Sequence, residues 1–243
     1  MKIWMLKSHF MVAFLMTFAV VSAQNFSPDV YQTSGGKLTI QFIGHGTLLF
    51  DYNGKVIHID PWSKLTNYGL LPKADIVLLT HAHADHLDSV ALNLIAKTGT
   101  QLLLTQECFE KLKRGKIVQN GEVLTVDGIQ IEVVPAYNTS VGRERFHPKG
   151  VGNGYILTFG DFRVYVAGDT ELIPEMSNFS KLNVVFLPMN QPYTMLPEQI
   201  VRAVDILKPQ ILYPYHFGES STDELIQKMG SNAVTKVIVK PLK

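Results

Sequence analysis

An apolar run, Asp75-Ile-Val-Leu-Leu-Thr80, leads directly into His81-Ala-His83-Ala-Asp85-His86, which sets four potential metal ligands within six residues. A short apolar run with Pro72 upstream reads as a buried strand. The ligands therefore stand at a strand's C-terminal end, where binding sites of layered α/β proteins collect. On an extended loop His81 and His83 point the same way and can grip one ion, while Asp85 and His86 turn toward a second. Two adjacent ions follow from that division. With eight histidines in 243 residues, such clustering is hard to ascribe to chance, and imidazole with carboxylate is a donor set that zinc accepts.

Cysteine usage narrows the chemistry further. Cys108 stands alone, which excludes an intrachain disulfide and a cysteine-rich zinc site, so the ligands have to be His and carboxylate. A hydrophobic content of 46% over this length suits one large core rather than two cramped ones. The net charge of +1 comes from scattered Lys and Arg and argues against an electrostatic nucleic-acid binder. The densest basic cluster, Lys111 to Lys116, reads as a solvated helix end.

The N-terminus carries an address. Lys2 and Lys7 precede the apolar run Phe10 to Val21, and Val21-Ser22-Ala23 offers the small residues of a cleavage site, the pattern of a secretory signal peptide. The run falls short of the ~20 apolar residues that span a bilayer. Residues 1–23 are therefore expected to be removed, with cleavage after Ala23 or Gln24. The mature protein is then exported, periplasmic or secreted, and keeps no stable membrane anchor. Residues 24–36, with Pro28 and Gly35-Gly36, read as a lead-in, and residues 37–243 as one domain.

Within that domain Lys37 to Phe42, Thr47 to Tyr52 and Lys55 to Ile59 read as strands, the last two joined by the hairpin signal Asn53-Gly54. Asp88 caps a helix running through Lys97, Thr100 to Leu104 is a strand, and Glu107 to Arg114 a helix. Val123 to Val126 and Ile129 to Val134 form a hairpin across Asp127-Gly128. The second half repeats the plan. Strands are expected over Tyr155 to Phe159, Arg163 to Ala167, Val184 to Leu187, Gln210 to Tyr213 and Lys236 to Val239. Helices are expected over Leu172 to Phe179, Pro197 to Leu207 and Thr222 to Gly230. Two such halves imply two sheets face to face with helices outside and the metals at one edge.

The His-x-His-x-Asp-His run after a strand ending in Thr resembles the metallo-β-lactamase superfamily, and further segments extend the likeness. Gly44-His45-Gly46-Thr47 and Ile57-His58-Ile59-Asp60-Pro61-Trp62 look like its opening strands and first acidic motif. Tyr165-Val-Ala-Gly-Asp169-Thr170 looks like the segment whose Asp bridges two metals, and Tyr213-Pro-Tyr-His216-Phe-Gly218 like the closing histidine motif. The match runs from about Lys37 to about Phe217 and is nearest to the metal-dependent hydrolases with lactonase-like and phospholipase-D-like members. It implies a four-layer αβ/βα sandwich and a pair of divalent ions, zinc first, with manganese or iron as alternatives. The implied ligands are His81, His83, Asp85, His86, Asp169 and His216.

The sequence departs from the superfamily at the first metal's third ligand. A histidine usually follows the strand before the Gly-Asp-Thr segment, yet Val134-Pro-Ala-Tyr-Asn138 ends in asparagine. His147 is the only histidine nearby, and because zinc prefers imidazole to a neutral amide, His147 is the expected ligand. Asn138 would then orient water or substrate. His45, between glycines, stands between a pocket contact and a turn role. Asp60 is expected to orient ligand histidines or brace the metal loop, His58 to serve packing, Met195 to be core, and Tyr193 to sit at the rim as a donor to a developing oxyanion.

Two cations sharing a water would supply hydroxide near neutral pH. Asp169 would hold the pair together, and Asp85 could handle a proton. The expected activity is metal-assisted hydrolysis of an ester, lactone or phosphodiester-type bond in a small molecule, with no nucleic-acid partner. An exported β-lactamase, a nucleic-acid phosphodiesterase and a non-catalytic metal-binding protein on the same fold stay open as alternatives.

Overall fold

The computed structural model describes residues 27–230 and 234–243; the proposed signal segment lies outside them. The chain folds as two seven-stranded sheets, each made of consecutive strands. In the first, β1 (Asp29–Thr33), β2 (Gly36–Gly44), β3 (Thr47–Tyr52) and β4 (Lys55–Ile59) form an antiparallel meander. It continues in parallel through β5 (Ile76–Leu78), β6 (Gln101–Leu104) and β7 (Lys116–Ile117). The second sheet repeats this. Antiparallel β8 (Val123–Val126), β9 (Ile129–Ala136), β10 (Gly152–Phe159) and β11 (Phe162–Val166) are followed by parallel β12 (Val184–Pro188), β13 (Ile211–Tyr215) and β14 (Lys236–Val237).

Residue choice explains which faces are covered. β2 alternates, with Leu38, Ile40 and Phe42 turned into the core and the residues between them less buried, as a half-buried strand should. β12, in the middle of the parallel section, is Val-Val-Phe-Leu-Pro and buried along its whole length, because helices cover its other face. The two sheets meet through Leu48, Phe50, Ile59, Tyr155, Phe159 and Phe186. Outside the first sheet, α1 (Ser89–Ile95) and α2 (Gln106–Leu112) bury Ala91, Leu92, Ile95 and Cys108 against Val77, Leu79 and Leu104. Outside the second, α3 (Pro197–Leu207) presents Ile200, Ala203, Val204 and Leu207, a spacing that makes one apolar stripe. Beside it runs α4 (Thr222–Met229). The layers are the expected αβ/βα sandwich.

Local chemistry sets the ends. Asp88 Oδ1 accepts from the amides of Val90 and Ala91, capping α1. The helix stops at Ile95, short of the expected Lys97, because Lys97 instead pairs with Asp75 at 2.8 Å and its amide is taken by Thr100 Oγ1. Two further expectations are corrected. The lead-in over residues 24–36 contains the edge strand β1, fixed by Lys240 on Asp29 Oδ1 at 2.6 Å and by Tyr213 donating to Asp29 Oδ2. The helix expected from Leu172 to Phe179 is a 3-10 turn over Pro174–Asn178, since Glu171 and Leu172 are drawn away to hold a neighbouring loop.

Candidate metal centre

The predicted ligands come from separate strand ends and converge at one edge of the sandwich. β5 leads into the loop bearing His81, His83, Asp85 and His86, β11 into Asp169, and β13 into His216. Two donor groups result. His81, His83 and His147 have ligand atoms within 4.8 Å of one another, and so do His45, Asp85, His86 and His216; His81, His86 and Asp169 form a third set between them. Asp169 faces both groups. Its Oδ2 lies 3.2 Å from His147 Nε2, 3.9 Å from His81 Nε2 and 3.5 Å from His216 Nε2, while its Oδ1 lies 3.7 Å from His86 Nε2.

Buried neighbours fix how each imidazole faces. Asp60 is the hub: Oδ1 accepts from the Thr80 amide at 2.8 Å, and Oδ2 accepts from Thr80 Oγ1 at 2.6 Å and from His86 Nδ1 at 2.8 Å. Thr80 Oγ1, having donated to Asp60, accepts from His81 Nδ1 at 2.9 Å. Both histidines therefore turn Nε2 inward, the outer-shell arrangement that orients metal-ligating imidazoles. Asp60 thus holds His86 directly and His81 through Thr80. Thr80, missed as a functional residue, was visible only as the strand's last residue before the histidines.

The backbone is shaped for this convergence. His45, Asp60 and His216 all adopt left-handed conformations, with φ of 51°, 45° and 46°, a local cost sustained where surrounding contacts over-determine it. Gly46 is required: a Cβ there would stand 2.9 Å from His86 Cε1 and 3.3 Å from His216 Cδ2. His45 touches the second donor group from its left-handed turn. Its Nε2 donates to Asp85 Oδ2 at 3.0 Å, and its ring lies against His216 with centroids 3.7 Å apart. His58 is packed in the core beside Tyr68 and donates from Nε2 to the Pro72 carbonyl, and Met195 is likewise buried.

His147 joins the first group, and Asn138 is what lets it. His147 Nδ1 donates to the Tyr193 carbonyl at 3.2 Å, turning Nε2 toward Asp169. The Asn138 amide donates to the His147 carbonyl, and its side-chain Nδ2 donates to the carbonyls of Arg143 and Tyr193. Asn138 is buried and braces the loop through its Nδ2, while its Oδ1 has no hydrogen-bond partner. Arg143 and Glu171 complete the brace, and sequence reasoning missed both. Glu171, fully buried, accepts from the Thr139 and Ser140 amides and pairs with Arg143 at 2.8 Å. Arg143 also donates to the Pro192 and Thr194 carbonyls. Tyr193 stands at the rim, as expected, but its carbonyl does the orienting while its ring meets Phe146 edge-on.

Charge in the cluster suits a cation. Burial penalises the Asp169 carboxylate, yet His216, His86, His147 and His81 outweigh that and hold it well below the usual range. Asp85 is likewise kept ionised against burial by His216 and His45. Burial works against a proton on His86, but Asp169, Asp60 and Asp85 prevail and raise it to about 9. Burial, and then neighbouring histidines, push His81 and His83 down. Asp169 Oδ1 and His147 Nε2 are buried without hydrogen-bond partners, a costly state that coordination relieves. A divalent cation fits these residues.

The chain matches the β-lactamase superfamily domain over residues 39–216. It belongs to the metallo-β-lactamase superfamily. It is similar to a protein of Parabacteroides distasonis assigned as a metal-dependent hydrolase, 43% identical, covering 90% of this chain and all of that one, with a TM-score of 0.87. A metallo hydrolase from Ignicoccus hospitalis is 30% identical over 84% of this chain and 95% of its own, with a TM-score of 0.71. A UPF0173 metal-dependent hydrolase of Thermococcus kodakarensis is 28% identical over 83% of this chain and 96% of that one. This superfamily member is a metal-dependent hydrolase, and its histidine and aspartate cluster is suited to a divalent metal.

Proposed function

We propose that the chain is an exported dinuclear hydrolase that cleaves an ester, lactone or phosphodiester-type bond in a small molecule. The observation that carries this reading is the pair of donor groups sharing Asp169. His81, His83 and His147 would hold one ion, Asp85, His86 and His216 the other, with Asp169 between them. Imidazole predominates and the lone cysteine is buried on the inner face of α2, so zinc is the favoured metal, with manganese or iron as alternatives. When bound, such a pair acidifies water and polarises the bond under attack.

The chain's own residues supply the remainder. Asp85 stays a carboxylate through His45 and His216, which suits a ligand and proton acceptor better than a general acid. Asp60 and Thr80 hold His86 and His81 against reorientation. Substrate would enter over His83, the one exposed member of the cluster. Cavities of about 260 and 220 Å³ flank it, with Phe146 and His147 in the walls of both. The size suits a small molecule.

Export is part of the proposal. Cleavage after Ala23 or Gln24 would spare β1, whose anchoring begins at Asp29. Hydrolysis of bis(p-nitrophenyl) phosphate and of a simple γ-lactone, before and after metal removal by dipicolinate, tests the activity. Turnover abolished by the chelator and restored by Zn2+ is expected. Turnover of neither class by protein loaded with two ions would favour a metal-binding protein without catalysis.

A further inference from the structure

The 260 Å³ cavity beside the first donor group is lined by His81, His83, His147 and Asp169 together with Arg145 and Phe146. Arg145 is two residues from His147, in a loop fixed on both sides of it. Arg143 is pinned by Glu171 and two carbonyls upstream, and His147 by the Tyr193 carbonyl and the Asn138 amide downstream. The Arg145 guanidinium lies over the Phe146 ring, 4.7 Å from its centroid, and that ring is in turn braced by Tyr193 at 5.0 Å. Stacking of this kind directs the planar fork while leaving its N–H groups free. Among the described residues no carboxylate pairs with Arg145, whereas Arg143 and Arg163 both have acidic partners. Glu107, the other charged wall residue away from the metal ligands, is paired with Lys111 at 3.2 Å. One cavity wall thus includes both a histidine and aspartate cluster suited to a cation and an arginine without an acidic partner, supported by an aromatic ring.

We infer that Arg145 is the substrate-anchoring residue, and that the substrate carries an anionic group, a carboxylate or phosphate, separate from the bond to be cleaved. This rests on the dinuclear reading above. A guanidinium fork binds such groups bidentately, and a charge-assisted contact of about 1.5–3 kcal/mol corresponds to roughly 10–100-fold in affinity. Because Arg145 is exposed, the lower end is expected.

The test is calorimetric titration of the zinc-loaded protein at constant ionic strength. Acetate probes the metal centre alone; succinate, glutarate and adipate add a second carboxylate at increasing reach, and 4-phosphonobutyrate replaces it with a phosphonate. At least one two-headed anion should bind about tenfold tighter than acetate. Arg145→Gln should remove that excess, Arg145→Lys should retain part of it, and acetate binding should stay unchanged in both. The preferred second head tells carboxylate from phosphate. Acetate binding with no gain for any two-headed anion, or a gain that survives Arg145→Gln, overturns the anchor and leaves the metal reading intact. Failure to load zinc or to bind acetate counts against the metal reading, and the anchor falls with it.

Discussion

In the proposed dinuclear site His147 would be one of four donors to the first ion, with His81, His83 and Asp169, so His147→Ala would remove one of them. His147 Nε2 sits 3.2 Å from Asp169 Oδ2, buried and otherwise unpartnered. A four-donor zinc site is worth about 10–16 kcal/mol in apparent binding free energy, or about 3 kcal/mol per donor. At about 1.4 kcal/mol per decade, His147→Ala should weaken the first ion roughly 100-fold and leave the second close to its original affinity. Asn138→Ala behaves differently. It keeps every donor and the backbone bond to the His147 carbonyl, losing only the side-chain bonds to Arg143 and Tyr193. An orienting group of this kind costs about tenfold. Zinc competition against a chromophoric chelator resolves the two binding steps. Two tight ions in His147→Ala, with one lost in Asn138→Ala, would make Asn138 the ligand instead of His147.

Two further outcomes follow from other parts of the molecule. Burial lowers the His58 pKa from 6.5 to about 4, so below pH 6.5 the unfolded chain binds a proton that the folded chain refuses. Stability is then full above pH 6.5 and falls as pH drops toward 4, by about 2 kcal/mol at pH 5 from this group alone. Urea unfolding of chelator-treated protein at pH 7.5 and 5 should show a smaller drop in His58→Gln, which keeps a donor for the Pro72 carbonyl. An equal drop in both proteins removes His58 from the account. For export, the intact mass of protein from the exported fraction should correspond to a start at Gln24 or Asn25, and a mass that retains residues 1–23 contradicts cleavage.

Legibility in the sequence followed the range of the interactions. Strand periodicity, the Asp88 cap and the Asn53-Gly54 hairpin act over a few residues, so they could be read directly, and β3, β4 and α3 have the expected bounds. The strand β1 was missed because Asp29-Val-Tyr-Gln-Thr33 is an edge strand with a weak apolar face, and its hold on Lys240 and Tyr213 spans nearly the whole chain. The 3-10 turn at Pro174 misled for a similar reason. The residues ahead of it serve a loop some thirty positions upstream, which no local pattern records. Histidine spacing announced most of the metal cluster. Arg143 and Glu171 gave no such signal, because an ion pair between two loops has neither period nor motif; only the place of Glu171 directly after Gly168-Asp169-Thr170 hinted at it.

Elemental analysis of the purified protein and of Asp169→Ala decides whether one carboxylate serves two cation sites. The wild type should carry about two zinc ions per chain. The variant should lose affinity at both sites together, since Asp169 faces His147 and His81 on one side and His86 and His216 on the other. Two ions retained at full stoichiometry in Asp169→Ala would show that Asp169 is not shared by the two sites.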